Sequence, residues 1–153
     1  IAEKEKVVQP ETATGETSIR GLHILLAEDN ELNAEIAARL LNDEGATVQV
    51  VRDGQQAIDA FASRPQGTYD AILMDIMMPK IDGYTATRVI RSTNRQDAKT
   101  IPIIAMTAHV FDEDVKQCLE AGMNAHLVKP LDIQKMKEAV CRYLNKQNDR
   151  QGD

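Results

Sequence analysis

The chain has 153 residues, 42% hydrophobic but only 3% aromatic and without Trp, which suits one domain whose core is built from Ile, Leu, Val, Met and Ala. A formal net charge of −6 argues against a nucleic-acid groove, which needs clustered Lys and Arg, and leaves room for a bound cation. No apolar run approaches the ~18 residues of a membrane helix, and no charged–apolar–small stretch reads as a secretory signal.

Residues 1–20 mix charge, Thr, Gly and Pro without periodicity and are expected to be a flexible leader or linker. A chain that opens on Ile1 is also expected to be a piece of a longer protein. From Leu22 onward short apolar runs alternate with helical patterns. "LHILLA" (22–27) reads as a strand. A helix over 31–44 follows, with Asn30 as its cap, Gly45 as its stop, and Leu32, Ile36, Leu40 and Leu41 on its inner face. "TVQVV" (47–51) is a more polar strand suited to a sheet edge, and the helix over 55–64 turns Ala57, Ile58 and Phe61 inward. "AILMD" (71–75) is a fully apolar strand ending in a carboxylate, followed by a helix over 84–93 with Val89 and Ile90 inward. "IPIIAMT" (101–107) and "AHLVK" (125–129) flank a helix over 112–121 that carries Val115, Cys118 and Leu119. The last helix starts after a cap at Asp132 and is expected to stop near Lys146, leaving 147–153 as a disordered tail. Five strands alternating with five helices describe a doubly wound α/β domain with a parallel sheet, and near-continuous apolar strands fit a sheet covered on both faces. Cys118 and Cys141 show no CxxC or metal spacing and read as free thiols of a reducing compartment.

In such a sheet ligands bind outside the carboxyl ends of the strands. The first strand ends in Glu28–Asp29, the third in Asp75, the fourth in Thr107 and the fifth in Lys129–Pro130, whereas the second ends in Asp53–Gly54, an ordinary turn. Parallel strands bring these ends to one rim. A carboxylate such as Asp75 cannot be left among apolar residues without compensation, and the other charged ends supply it. Clustered carboxylates repel and call for a cation. All-oxygen ligands favour Mg²⁺, with Mn²⁺ as a substitute, since such an ion keeps waters and accepts phosphate oxygens. A Lys can neutralise a further phosphoryl oxygen, a Thr hydroxyl can donate to another, and Asp75 can act as a nucleophile. Phosphoryl transfer asks little more of a protein than positioning and charge neutralisation.

"LLAEDN", "AILMDIMMPKIDGY", "IIAMTAH" and "HLVKP" resemble the receiver (phosphoacceptor) domain of two-component response regulators over about 21–146. The resemblance implies a flavodoxin-like (βα)5 fold with strand order 2-1-3-4-5. It implies Asp75 as the phosphorylated residue, and a metal site made by Glu28, Asp29, Asp75 and the backbone carbonyl of Met77. It further implies Lys129 as the phosphoryl contact, Thr107 as the switch hydroxyl and a cis peptide at Lys129–Pro130. At the position where many members carry Tyr or Phe as the rotameric partner of the switch, this chain has His126. "AEDNELNAEIAARLL" and "CLEAGMNAHLVKPL" look most like receivers fused to hybrid sensor histidine kinases. The implied partners are then a histidine kinase domain and a His phosphotransfer domain, in a cytoplasmic setting that allows the parent protein an anchor in the inner membrane. The implied activity is self-catalysed phosphorylation and dephosphorylation.

Plainer readings stand beside this one. Glu28–Asp29 could cap a helix, Asp75 could be a turn residue, Lys129 could be surface charge and Thr107 could be an ordinary strand residue. His23, His109 and His126 match no zinc spacing. Met74, Met77, Met78 and Met106 are core fillers by default, although an exposed Met77 or Met78 would suit a docking patch. A stand-alone response regulator and a phosphate-independent interaction module of the same fold are the alternatives. An aspartyl phosphatase needs a second Asp where this chain has Met77. A flavin-binding relative needs a Ser/Thr/Gly-rich phosphate loop after the first strand, and this chain has none there.

Overall fold

The structure is a computed structural model that describes residues 18–108 and 112–152. Five strands, β1 (His23–Ala27), β2 (Thr47–Val51), β3 (Ala71–Asp75), β4 (Ile103–Thr107) and β5 (Ala125–Val128), form one sheet of order β2-β1-β3-β4-β5. Every pairing is parallel. Among the described residues, five helices lie between the strands and a sixth follows the last: α1 (Glu31–Asp43), α2 (Gly54–Ser63), α3 (Gly83–Ser92), α4 (Gln96–Thr100), α5 (Asp112–Ala121) and α6 (Ile133–Gly152).

The apolar strands are read two residues at a time by the two faces of the sheet. Leu25, Ala27, Ile72, Met74, Ile103 and Ala105 pack on one side with Ala57 and Phe61 of α2, Ala86 and Ile90 of α3, Ala98 of α4 and Cys118 of α5. Ile24, Leu26, Ala71, Leu73, Ile104 and Met106 pack on the other with Ala37 and Leu41 of α1 and Met136, Val140 and Cys141 of α6. Each fully buried Leu or Ile contributes about 1.5–3 kcal/mol, so both layers are needed to hold the central strands. The edge position expected for β2 is the one observed.

Side chains cap the helix starts, at Asn30 as the sequence suggests and at Asp53 and Asp82 in addition. Asn30 Oδ1 accepts the Asn33 N–H at 2.9 Å, Asp53 Oδ1 that of Gln56 at 2.7 Å, and Asp82 Oδ1 that of Thr85 at 2.9 Å. After α1 the chain turns through Gly45, whose φ of +95° is open to glycine and costly for other residues.

Several sequence expectations are corrected. Leu32 and Ile36 of α1 are 64% and 51% exposed, because α1 lies on the sheet through Ala34, Ala37 and Leu41, a stripe offset from the larger residues. Val89 and Leu119, also expected inward, are exposed. β4 begins at Ile103 rather than 101, beyond Pro102, and β5 ends at Val128 rather than 129. α4 was not expected at all, since "QDAKT" shows no amphipathic period, and only Ala98 is buried in it. α6 is helical to Gly152, past the expected stop near Lys146, for no Gly or Pro interrupts it before that residue. Ile19, within the stretch expected to be leader, is fully buried against the α1–α6 layer. Residues 1–17 and His109 lie outside the described residues.

At the amino-terminal edge of the strands one arginine gathers the ends of several elements. Arg91 of α3 donates from Nε to Gly122 O at 2.9 Å, from one terminal nitrogen to Ala98 O and Ile101 O at 3.2 and 2.7 Å, and from the other to Asn124 Oδ1 at 2.9 Å. Burial pushes its pKa down to about 10, so it remains charged at neutral pH.

Candidate functional site

The parallel register decides what meets at the carboxyl edge. Ala27 pairs with Met74, Asp75 with Met106 and Thr107 with Val128. Glu28 therefore emerges beside Asp75, and Lys129 emerges one residue beyond Thr107. The ammonium of Lys129 sits 2.9 Å from Glu28 Oε1 and 2.9 Å from Asp75 Oδ2. One oxygen from each of Glu28, Asp29 and Asp75 lies within 4.8 Å of the others. Glu28 and Asp75 are buried, 2% and 3% exposed, while Asp29 faces solvent.

Backbone donors aim these carboxylates. The Asn30 N–H donates to Glu28 Oε2 at 3.1 Å, and the Met77 N–H donates to Asp75 Oδ1 at 3.1 Å. Burial pushes the Asp75 carboxyl up to about 6; the Lys129 ammonium pulls it back in part, and neighbouring Glu28 pushes it up further. Burial acts the same way on Glu28, but hydrogen bonds from Lys129, Asp75 and the Asn30 N–H outweigh it and hold Glu28 below the usual range. Lys129 is penalised by burial, yet its two carboxylate partners raise its pKa.

Three carboxylates against one ammonium leave two negative charges at the rim, which one divalent cation balances. The donor set is all oxygen, so it fits a hard ion such as Mg²⁺, and among the described residues no His or Cys belongs to the cluster. A cleft of about 480 Å³ lined by Glu28, Asp29, Asp75, Met77, Ala108 and Lys129 opens over it, with room for a phosphoryl group. A neighbouring cavity of about 370 Å³ runs from Lys129 along Pro130, Leu131 and Ile36 of α1.

The structure thus brings Glu28, Asp29, Asp75 and Lys129 together. Thr107 closes β4 beside them, 8% exposed, and its carbonyl accepts the Lys129 N–H at 2.8 Å. His126 stands further back: it pairs with Ala105, so it shares a sheet face with Thr107 but lines a cavity with Tyr143 and Arg142. The Lys129–Pro130 peptide is cis. Met77 is 76% exposed, whereas Met78 belongs to the core. The sequence reading missed the Asn30 and Met77 amides, which no side-chain letter announces, and the apolar flank that Ile36 adds to the cleft.

A family model described as the response regulator receiver domain matches residues 24–141. The osmosensing histidine protein kinase SLN1 of Saccharomyces cerevisiae is 40% identical over 88% of this chain and 11% of its own length. The transcription factor SKN7 of the same yeast is 39% identical over 82% of this chain and 19% of its own. The chain therefore spans less than a fifth of either relative. Among solved structures, the receiver domain of a sensor histidine kinase from Pseudomonas aeruginosa, described with a magnesium ion coordinated in the active site cleft, superposes with a TM-score of 0.73. It is 39% identical and covers 82% of this chain and 98% of that one.

Proposed function

We propose, since the chain belongs to the response regulator receiver domain family, that it is a phosphoryl relay station in which Asp75 accepts a phosphoryl group from a phosphohistidine and passes it to a second histidine. The observation that carries this reading is the single ammonium of Lys129 held 2.9 Å from both Glu28 and Asp75, with Asp29 alongside.

In this reading Glu28, Asp29, Asp75 and the carbonyl of Met77 hold Mg²⁺. When bound, the ion offsets charge on the phosphoryl oxygens that the protein's own cation cannot cover alone. An Asp75 carboxylate oxygen attacks phosphorus; the P–N bond of the phosphohistidine breaks, and its electron pair stays on the departing imidazole. Lys129 neutralises one phosphoryl oxygen and the Thr107 hydroxyl donates to another. Onward transfer reverses the step: a second imidazole nitrogen attacks phosphorus, and the acyl O–P bond breaks to regenerate the carboxylate. Thr107 turning toward the phosphoryl group, with His126 behind it on the same sheet face, supplies the conformational signal.

A donor histidine must approach Asp75 from the open rim, so the partner docks near the start of α1 and the loop after Lys129. The exposed Leu32, Ile36 and Met77 flank that approach, and an apolar helical partner such as a His phosphotransfer domain fits them. A histidine kinase as parent protein fits the similarity to SLN1, and a hybrid kinase with this domain in the cytoplasm belongs to the same reading. The likeness to SKN7 favours a second reading, a receiver outside a kinase, with the same site chemistry.

The test is incubation with acetyl phosphate and Mg²⁺ followed by mass spectrometry. Wild type gains one phosphoryl group and Asp75→Asn gains none; labelling that persists in the variant defeats the assignment.

A further inference from the structure

At Gly83 the chain returns to the residue that ends β3. The Gly83 N–H donates to Ile76 O at 2.9 Å, and a Cβ at Gly83 would lie 2.4 Å from Asp75 O. The intervening loop, 76–82, is thus closed on the backbone of Asp75, and its Met77 N–H holds Asp75 Oδ1 at 3.1 Å. The orientation of that carboxylate depends on where the loop sits.

The loop itself contains a strained step. Lys80 has φ of +68°, the single non-glycine residue with positive φ among the described residues, and the Ile81 N–H reaches back to Pro79 O at 2.8 Å. A side-chain-bearing residue holds this tight turn only where its surroundings impose it. The surroundings are the turn after β2. Asp53 is 5% exposed; its Oδ1 caps α2, and its Oδ2 faces Lys80 Nζ at 3.7 Å. At Gly54 the fit is closer still, for a Cβ there would lie 2.1 Å from Ile81 O and 2.8 Å from its carbonyl carbon. The loop seats its backbone directly on a residue that has no side chain.

We infer that the Asp53–Gly54 turn is a brace that positions Asp75 for divalent-cation binding by fixing Lys80 and Ile81, although neither Asp53 nor Gly54 belongs to the acidic cluster. The sequence marks this pair only as an ordinary turn. Its role is positional: it acts on Asp75 through the loop and the Met77 amide. The inference rests on the proposed reading that Asp75 helps to hold Mg²⁺.

Charge and position make opposite predictions for one substitution. Lys80→Met removes a cation from the neighbourhood of a cation site, so Coulomb repulsion alone would tighten Mg²⁺ binding. Loss of the brace weakens it, by about threefold if the ion pair has the usual strength of its class. The experiment is a calorimetric Mg²⁺ titration of the full chain in wild type, Lys80→Met, Lys80→Arg and Gly54→Ala, with thermal unfolding run alongside. The expected result is weaker binding in Lys80→Met at little change in melting temperature, near wild-type binding in Lys80→Arg, and a loss of about tenfold in Gly54→Ala, where the loop backbone must move. Lys80→Met binding as tightly as wild type, or more tightly, overturns the brace whatever Gly54→Ala does. In that case saturable binding by the wild type leaves the proposed function standing. A wild type that takes up no Mg²⁺ overturns both.

Discussion

The charged form of Asp75 is disfavoured by burial. Its carboxyl titrates near 6 because it is buried, and its pKa in the unfolded chain is about 3.9. A folded-state value above the unfolded one means that the proton stabilises the fold: this contribution is full below the unfolded pKa and is lost as pH rises through about 6. Without divalent cation, Asp75→Asn should therefore be more stable than wild type at pH 7, by on the order of 2 kcal/mol, and the gap should close by about pH 4. Urea denaturation at both pH values checks this, and a variant no more stable at pH 7 contradicts it. Mg²⁺ should raise the melting temperature of wild type and leave the variant unmoved. At this scale the side chains were legible, because Glu28, Asp29, Asp75, Thr107 and Lys129 all stand at the ends of apolar runs. The amides of Asn30 and Met77 were not, since any residue in those places offers the same N–H.

Among the elements, α1 separates what folds the domain from what it presents. Its inner stripe is Ala34, Ala37 and Leu41, and its outer one includes Leu32 and Ile36. Truncating Leu41 to Ala should cost about 2–5 kcal/mol, whereas Leu32→Ala and Ile36→Ala should stay within about 0.5 kcal/mol. The two outer substitutions should instead weaken binding of a His phosphotransfer domain by about tenfold or more, as expected for apolar anchors. Denaturation and calorimetric binding measure the two effects separately, and outer substitutions that unfold the domain would reverse this division. The sequence misled here for a physical reason: large apolar residues are the usual mark of an inner face, but a helix can lie close to a sheet on alanines. α4 was illegible because it is held from outside, by Arg95 chelating Asp97 and stacking on Phe61 at 4.5 Å, and not by a period of its own.

For the whole molecule, the parallel sheet was legible because every central strand had to be apolar on both faces, and the strand order came with the family resemblance. The two edges of that sheet have opposite characters. The carboxyl edge gathers the ionisable groups of Glu28, Asp29, Asp75 and Lys129. The amino edge is held by Arg91, whose guanidinium is satisfied by three carbonyl oxygens and one side-chain amide oxygen, with no acid among these partners. Its charge and its neutral partners persist across the range in which Asp75 titrates.

That clasp makes the amino edge a fulcrum. With α3, the entry to β4 and the turn before β5 pinned to one point, a push delivered at Asp75 should swing the upper ends of these elements and leave their lower ends in place. Amide shifts on adding beryllium fluoride with Mg²⁺ should accordingly be large at Thr107 and fade along β4 toward Ile103; equal shifts at both ends would mean that the strand slides as a rod.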